Sequence, residues 1–455
     1  MRLVQINNRR TMKKEMISFT LFFLSAFSAG ISHSSYHPDD QDALLDFKNS
    51  LSLDPYNSLH NWSPNHTPCN WTGVSCSSRR QRVVSLNLTS MGLVGPISPS
   101  VGNLSFLRVL DLTNNSFEGH LPYQLGKLFR LRELLLSTNE LGGSIPSSLG
   151  GCRSLQFLGL SDNHLKGSIP SELGLLRKLE KLLLRVNNLT GTIPSFLANL
   201  SSLTDLDLRE NRLRGDIPVD LGMLTQLKLL ILFRNYLTGP VPTALSNCTH
   251  LQYLALQDNY LTGHIPWQFG KLSEMQTLLL WGNQLTGEIP SSLSNCTILQ
   301  VLELEFNNLS GTVPLELGNL LKLRRLNLWG NYLVSGSRGL VILTALTNCS
   351  NLEHIDFSQN YFTGIIPTSV GLLSTALSYF LLPHNEIEGS IPEEIGNLTN
   401  LEALDLSGNR FDGSIPCTLT TLPNLERVNM EQNKLQGIIP ECWGQAKRLG
   451  LLSHG

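Results

Sequence analysis

Arg185, Arg209, Phe233, Gln257, Trp281, Glu305 and Trp329 stand 24 residues apart along the chain, one per period. Two guanidinium groups, three large rings, an amide and a carboxylate brought onto one surface would offer charge-assisted hydrogen bonds and aromatic anchors, which is the chemistry of non-covalent recognition. The same column holds Thr89, Thr113, Ser137 and Ser161 before this block and Ser358, Pro383, Ser407 and Glu431 after it, while Arg234, Tyr253 and Phe306 stand beside it. Nothing comparable points to catalysis. The histidines are scattered, and no H-E-x-x-H, C-x-x-C or G-x-S-x-G occurs. Glu303 and Glu305 share one segment, but no further ligands converge on them, so they are read as solvated face residues rather than a calcium site. No cofactor or metal is expected.

The elements that position this column are set by a ladder of asparagines at Asn115, Asn139, Asn163, Asn187, Asn211, Asn235, Asn259, Asn283, Asn307 and Asn331, resuming at Asn360, Asn385, Asn409 and Asn433. Each closes a segment of the form L-x-x-L-x-L-x-x-N, such as LTDLDLREN at 203–211. A fixed period of 20 to 29 residues with this pattern marks a leucine-rich-repeat solenoid. The alternating leucines face one side of a short strand and the residues between them face the other. A single repeat cannot bury its own leucines, so coils stack, with the strands forming a parallel sheet at about 5 Å per coil. The asparagine amide is expected to turn inward and pair backbone groups of the neighbouring coil. The fold class is therefore an α/β solenoid with a parallel sheet on its concave face. An extended peptide along the seven coils of the block would span about 30 Å, or about nine residues.

Nearly every repeat continues as x-L-x-G-x-I-P, for example NLTGTIP at 188–194, and this run is expected to end the strand and turn the chain. The repeat of Asn331 differs: it lacks Ile-Pro and has five extra residues, 29 rather than 24 separating Asn331 from Asn360. Cys152, Cys248, Cys296 and Cys349 share one column but never adjacent coils, which places them too far apart to pair. They are read as buried thiols. Cys417 and Cys442 lie in successive coils, where both a bridge and two free thiols fit the spacing.

The 24-residue repeat with L-x-G-x-I-P resembles the plant-specific leucine-rich-repeat class, and DDQDALLDFKNSLSLDPYNSLHNWSPNHTPCNWTGVSC at 39–76 resembles the N-terminal cap of plant receptor-like kinases. The stretch 335–360 is similar to the odd repeat of the subfamily that includes the receptors for flagellin and elongation factor Tu. The resemblance implies a disulfide between Cys69 and Cys76, an extracellular peptide or protein ligand, and a co-receptor kinase ectodomain as possible partner. It also implies a membrane helix and a serine/threonine kinase in a full-length relative. Neither has motifs in this sequence, which reaches LGLLSHG at 449–455 as a sixteenth strand begins, so a truncated ectodomain without enzymatic activity is expected.

The expected organisation is a secretory signal peptide at 1–31, a cap at 32–82, fifteen repeats at 83–448 and an incomplete sixteenth at 449–455. The leader has a basic run followed by about 15 apolar or small residues, short for a membrane span. With 34 Lys plus Arg against 36 Asp plus Glu, the balance of charge gives no reason for a nucleic-acid partner. Sequons support secretion, with glycosylation candidates at Asn103, Asn199, Asn247, Asn295, Asn348 and Asn397. Only the sequons at Asn87 and Asn114 fall at solvent-facing strand positions, which leaves the sheet from the third repeat onward free of glycans.

Two functions follow from these readings. In one, the chain is the ligand-sensing ectodomain, or a secreted form of it, of a plant receptor kinase in immune or developmental signalling, at the cell surface or in the apoplast. The other is a secreted inhibitor of a microbial cell-wall hydrolase, similar to polygalacturonase-inhibiting proteins. Fifteen repeats and the irregular eleventh favour the first.

Overall fold

The computed structural model describes residues 37–337, 339–436, 441–445 and 451–453; the expected leader lies outside them. Short strands recur at the L-x-L positions, among them Val109–Asp111, Asp205–Asp207, Val301–Glu303 and Leu451–Ser453. Each pairs in parallel with the same position of the next coil, Leu110 with Leu134, Leu206 with Leu230 and Leu302 with Leu326. Among the described residues the result is one sheet of 17 strands whose first, Val74–Cys76, runs antiparallel to Val83–Asn87. The leucines behind the sheet, such as Leu206, Leu208, Leu230 and Leu232, are fully buried and form one continuous core.

The asparagine ladder bonds as its spacing predicts. In Asn235 the Nδ2 group donates to Leu232 O and, one coil back, to Leu208 O, both at 3.0 Å, while Oδ1 accepts from Leu213 N at 3.0 Å. Each amide thus stitches two coils through backbone groups that would otherwise be buried unpaired. The residue just before it takes positive φ, as at Glu210 (φ 53) and Arg234 (φ 53), because the chain must turn sharply to bring the amide inward.

The Leu-x-Gly-x-Ile-Pro run does more than bend. Val94–Pro96, Ser116–His120, Glu140–Gly143, His164–Gly167 and Asn188–Leu189 form a second, five-stranded parallel sheet along the side of the solenoid. Glycine is required where this strand leaves its ladder, as at Gly167 (φ +81) and Gly191 (φ +83). The proline then stands as N-cap of a 3₁₀ turn, Pro170 before Ser171–Leu175 and Pro194 before Ser195–Asn199. In the irregular coil the extra residues form a short helix, Val341–Ala345, and a 3₁₀ turn, Leu346–Asn348. The sheet does not notice them, since Arg325 still pairs with His354 in register.

The helix Pro38–Ser50 seals the first coil by burying Ala43, Leu44 and Phe47. Phe47 packs 5.8 Å from Phe117, and Trp62 stacks on Trp71 at 5.3 Å while its Nε1 donates to Thr72 O at 3.0 Å. Asp54 accepts from the amides of Ser58 and Leu59, each at 2.8 Å, which fixes the Asp-Pro turn. A disulfide joins Cys69 to Cys76 with Cα atoms 5.4 Å apart, and a second joins Cys417 to Cys442 at 5.9 Å. The cap also hides an ion pair that pattern alone does not show. Asp40, 2% exposed, accepts from Arg82 Nε at 2.8 Å, from its terminal nitrogen at 2.7 Å and from Val83 N at 2.9 Å.

Cys152, Cys248, Cys296 and Cys349 are buried free thiols, as their shared column predicts. Three of them donate to the carbonyl 27 residues earlier, Cys152 to Leu125 at 3.2 Å, Cys248 to Leu221 at 3.5 Å and Cys296 to Phe269 at 3.3 Å. Burial pushes the Cys152 thiol up to about 12 and the others to about 11. Since the thiolate is the reactive form, iodoacetamide at pH 8 should label none of the four in the folded chain and all four in guanidinium, read by peptide mass mapping. Labelling of any one in the folded chain would show that its coil opens.

Candidate ligand-binding face

The sheet brings the recognition column into one row, because parallel register carries each position onto its counterpart in the next coil. Arg185 bonds Asp162 Oδ2 at 3.2 Å. Arg209 lies 3.6 Å from Asp207 and holds its guanidinium 5.4 Å from the Phe233 ring centre. Arg234 approaches the same ring at 5.9 Å and bridges Glu210 at 3.6 Å and Asp258 at 3.4 Å. Phe233 is therefore held between two cations. A joint grip of Arg185 and Arg209 on one ligand carboxylate would have to displace Asp162 and Asp207, a competition that the sequence does not reveal.

Further along, the row becomes less polar and more closed. Gln257 is buried at 6% exposure with Oε1 unpaired, and Trp281 is half-buried. Glu305, at 9% exposure, lies between Trp281 and Trp329 in register: Gly282 N donates to Glu305 O at 2.9 Å and Phe306 N to Trp329 O at 2.8 Å. Phe306 is the open member at 47% exposure, its ring 4.4 Å from that of Trp329. Trp329 is half-buried with its indole N–H unpaired.

These placements correct two expectations. Glu305 is not a solvated face residue, and Gln257 is not open to solvent. Side-chain alternation tells which face a residue takes, but large neighbours on that face then bury smaller ones. Burial first, and then the nearby Glu303 charge, push the Glu305 carboxyl up to about 8. A carboxyl whose folded value lies above its unfolded one contributes stability that is present below the unfolded value and lost as pH rises through the folded one. Glu305→Gln should accordingly leave the melting temperature nearly unchanged at pH 4 and raise it at pH 9. Equal shifts at both would show that Glu305 is not buried as described.

A hollow of about 350 Å³, which the column does not include, lies four to five residues before it on repeats 11 to 15 and is lined by Arg325, Glu353, His354, Tyr379 and Glu402 among others. Its groups are mutually engaged. Arg325 bonds Glu303 at 3.1 Å, Tyr379 Oη donates to Glu402 at 3.3 Å, and Arg427 lies 5.7 Å over the Tyr379 ring. Burial and the Arg325 charge push His354 down to about 4, so it stays neutral through the physiological range. The only sequence signal for this hollow is the run of polar residues at one strand position.

The glycosylation candidates Asn103, Asn199, Asn247, Asn295, Asn348 and Asn397 each end a 3₁₀ turn and are exposed. They stand on the 3₁₀ ladder, away from the recognition row. Among the described residues no group of His, Cys, Asp or Glu could hold a metal ion, and no helix is long and apolar enough to cross a membrane.

Stacked strands, asparagine ladder and capped first coil define a leucine-rich-repeat protein of the plant type, and comparison with known proteins agrees. The family described as "Leucine rich repeat N-terminal domain" matches residues 37–77, "Leucine-rich repeat region" matches 82–238, and single repeats match between 250 and 422. The leucine-rich-repeat ectodomain of the Arabidopsis receptor kinase HAESA, solved with an N-terminally extended IDA peptide hormone ligand, is 38% identical with a TM-score of 0.78. That likeness covers 92% of this chain and 69% of the other. The same receptor has been solved with IDA and the co-receptor SERK1, at 30% identity and TM-score 0.52, over 91% of this chain and 86% of that one. The plant peptide hormone receptor RGFR1, solved with RGF2, is 33% identical with a TM-score of 0.70, over 85% of this chain and 72% of that one. The chain belongs to the family of plant leucine-rich-repeat receptor-kinase ectodomains. In sequence, the LRR receptor-like serine/threonine-protein kinase EFR of Arabidopsis thaliana is 50% identical over 94 residues, which are 20% of this chain and 9% of that protein.

Proposed function

We propose that this chain is the ligand-binding ectodomain of a plant receptor-like kinase and that it takes an extended peptide, or a segment of a protein, along the sheet face of repeats 5 to 11. The observation that carries the reading is the unbroken row from Arg185 to Trp329, in which Gln257 Oε1, Glu305 Oε2 and Trp329 Nε1 are buried without partners. Unpaired buried polar atoms cost stability in the free protein and are recovered when a ligand supplies the missing bonds. Half-buried rings beside them give anchors that need little reordering to bind. The family likeness supports a co-receptor ectodomain as second partner, a location at the cell surface or in the apoplast, and signalling by binding alone, with no reaction catalysed by this chain.

The test is capture. Pools of secreted plant and microbial peptides and glycoproteins are passed over the immobilised wild-type chain and over a Trp281→Ala, Trp329→Ala double variant. The reading expects components retained by the first and not by the second. Retention of a polygalacturonase equally by both, with inhibition of its activity, would instead favour the inhibitor function.

A further inference from the structure

Among the described residues Glu305 is the only carboxylate that is nine-tenths buried with an oxygen left unpaired. The contrast with its neighbours on the sheet is instructive. Asp207 and Asp356 are as deeply buried, at 7% each, but Asp207 faces Arg209 at 3.6 Å and Asp356 accepts from Ser358 N at 3.0 Å. The charged groups that face Glu305 are Glu303 on its own strand, Arg325 from the next and Asp356 from the one beyond. The preceding coil presents Thr277, Leu279 and Trp281, none of them charged. Of these groups only Arg325 is a cation, and it is bonded to Glu303 at 3.1 Å. Glu305 is thus a carboxylate with two acidic neighbours, no cation of its own and an indole in the adjacent coil on either side.

We propose that Glu305, flanked by Trp281 and Trp329, receives a cationic group of the ligand, a lysine ammonium, an arginine guanidinium or a free amino terminus; this rests on the reading of the sheet face as the binding surface. A cation there satisfies the carboxylate by direct pairing and meets the negative faces of the rings, which attract positive charge most strongly where water is excluded. Acidic Glu303 and Asp356 favour the same charge at longer range. A neutral or anionic group would leave the carboxylate either charged and unpaired or protonated.

The proposal has a signature in pH. In the free chain the carboxyl titrates near 8 and is mostly protonated at neutral pH. A bound cation favours the ionised form, so binding releases a proton, and affinity rises with pH until the free carboxyl is itself ionised.

The probes are nonapeptide pools with arginine fixed at one position in turn, against matched pools with citrulline, its uncharged counterpart, and each pool made with free and with acetylated amino termini. Binding to the full chain is measured at pH 6 and pH 8 for wild type, Glu305→Gln, Trp281→Ala and Trp329→Ala. The expected result is an arginine or free-amine pool that binds about tenfold more tightly than its neutral match at pH 8, the scale of one charge-assisted hydrogen bond. That preference should shrink at pH 6 and vanish in Glu305→Gln, whose shape is unchanged. Two results overturn the proposal and leave the sheet-face reading standing. One is binding that is lost in Trp281→Ala but does not distinguish charged from neutral pools. The other is affinity that falls as pH rises, as it would if a protonated Glu305 donated to a ligand carbonyl. Binding indifferent to both tryptophans overturns the sheet-face reading itself.

Discussion

Asn235→Ala will lower the denaturation midpoint of the solenoid, at a cost of about 1 to 3 kcal/mol for the unpaired groups it leaves. The amide bonds four backbone partners, Leu208 O and Leu232 O at 3.0 Å each, Phe233 O at 3.4 Å and Leu213 N at 3.0 Å, and the side chain is 5% exposed, so no water replaces what is removed. Two of the partners lie one coil back, and the loss falls on the interface between coils that holds a solenoid together. Asn235→Asp separates the two halves of the amide. It keeps an acceptor for Leu213 N but sets a carboxylate against three carbonyl oxygens, and it should be at least as damaging as alanine at pH 7. Asn115→Ala, at the more open end of the ladder, should cost less. Urea titration of the three variants by circular dichroism checks this ordering, and an unmoved midpoint for Asn235→Ala would remove the ladder from the account of stability.

The ladder was legible because it is written in period: a residue that returns every 24 positions on the core side can only serve the repeat. The strand register, the buried thiols and the five-residue insertion were legible for the same reason. The second sheet was not, since its strands, two to five residues long, are set by glycine and proline geometry rather than by alternating leucines. Cys417 and Cys442 occupy slightly different slots in their coils, and only the turn of the chain shows that their Cα atoms come within 5.9 Å. Asp40 and Arg82 join an irregular cap across 42 residues, a distance no repeat spans. In the recognition row, period identified the members but not their depth. That Glu305 would be hidden and Phe306 open depends on the volume of the neighbouring rings, which a one-dimensional pattern does not contain.

The largest functional effect is expected at the two tryptophans. Trp281→Ala and Trp329→Ala should each weaken ligand binding by about 2 kcal/mol or more, the scale of a buried aromatic anchor. Both rings are half-buried before binding and flank Glu305, so a ligand seated there would complete their burial. The Trp329 ring also packs within the row, 4.4 Å from that of Phe306, so thermal unfolding must be followed in parallel. Arg185→Ala and Arg209→Ala should lower affinity less and flatten its dependence on salt, because each guanidinium already has an aspartate partner. Ser137, in the same column but outside the block, is the control and should tolerate alanine within about 0.5 kcal/mol. Ser407 is a poorer control, being buried and bonded through its hydroxyl to Asp405 at 2.6 Å.

The most direct measurement is therefore a calorimetric titration of one captured ligand into wild type, Ser137→Ala, Trp281→Ala and Trp329→Ala, each shown to be folded at the working temperature. The account predicts wild-type affinity for Ser137→Ala and a loss of about 30-fold or more for each tryptophan variant. Equal losses at Ser137 and Trp281, or none at either tryptophan, would contradict the placement of the ligand on this row.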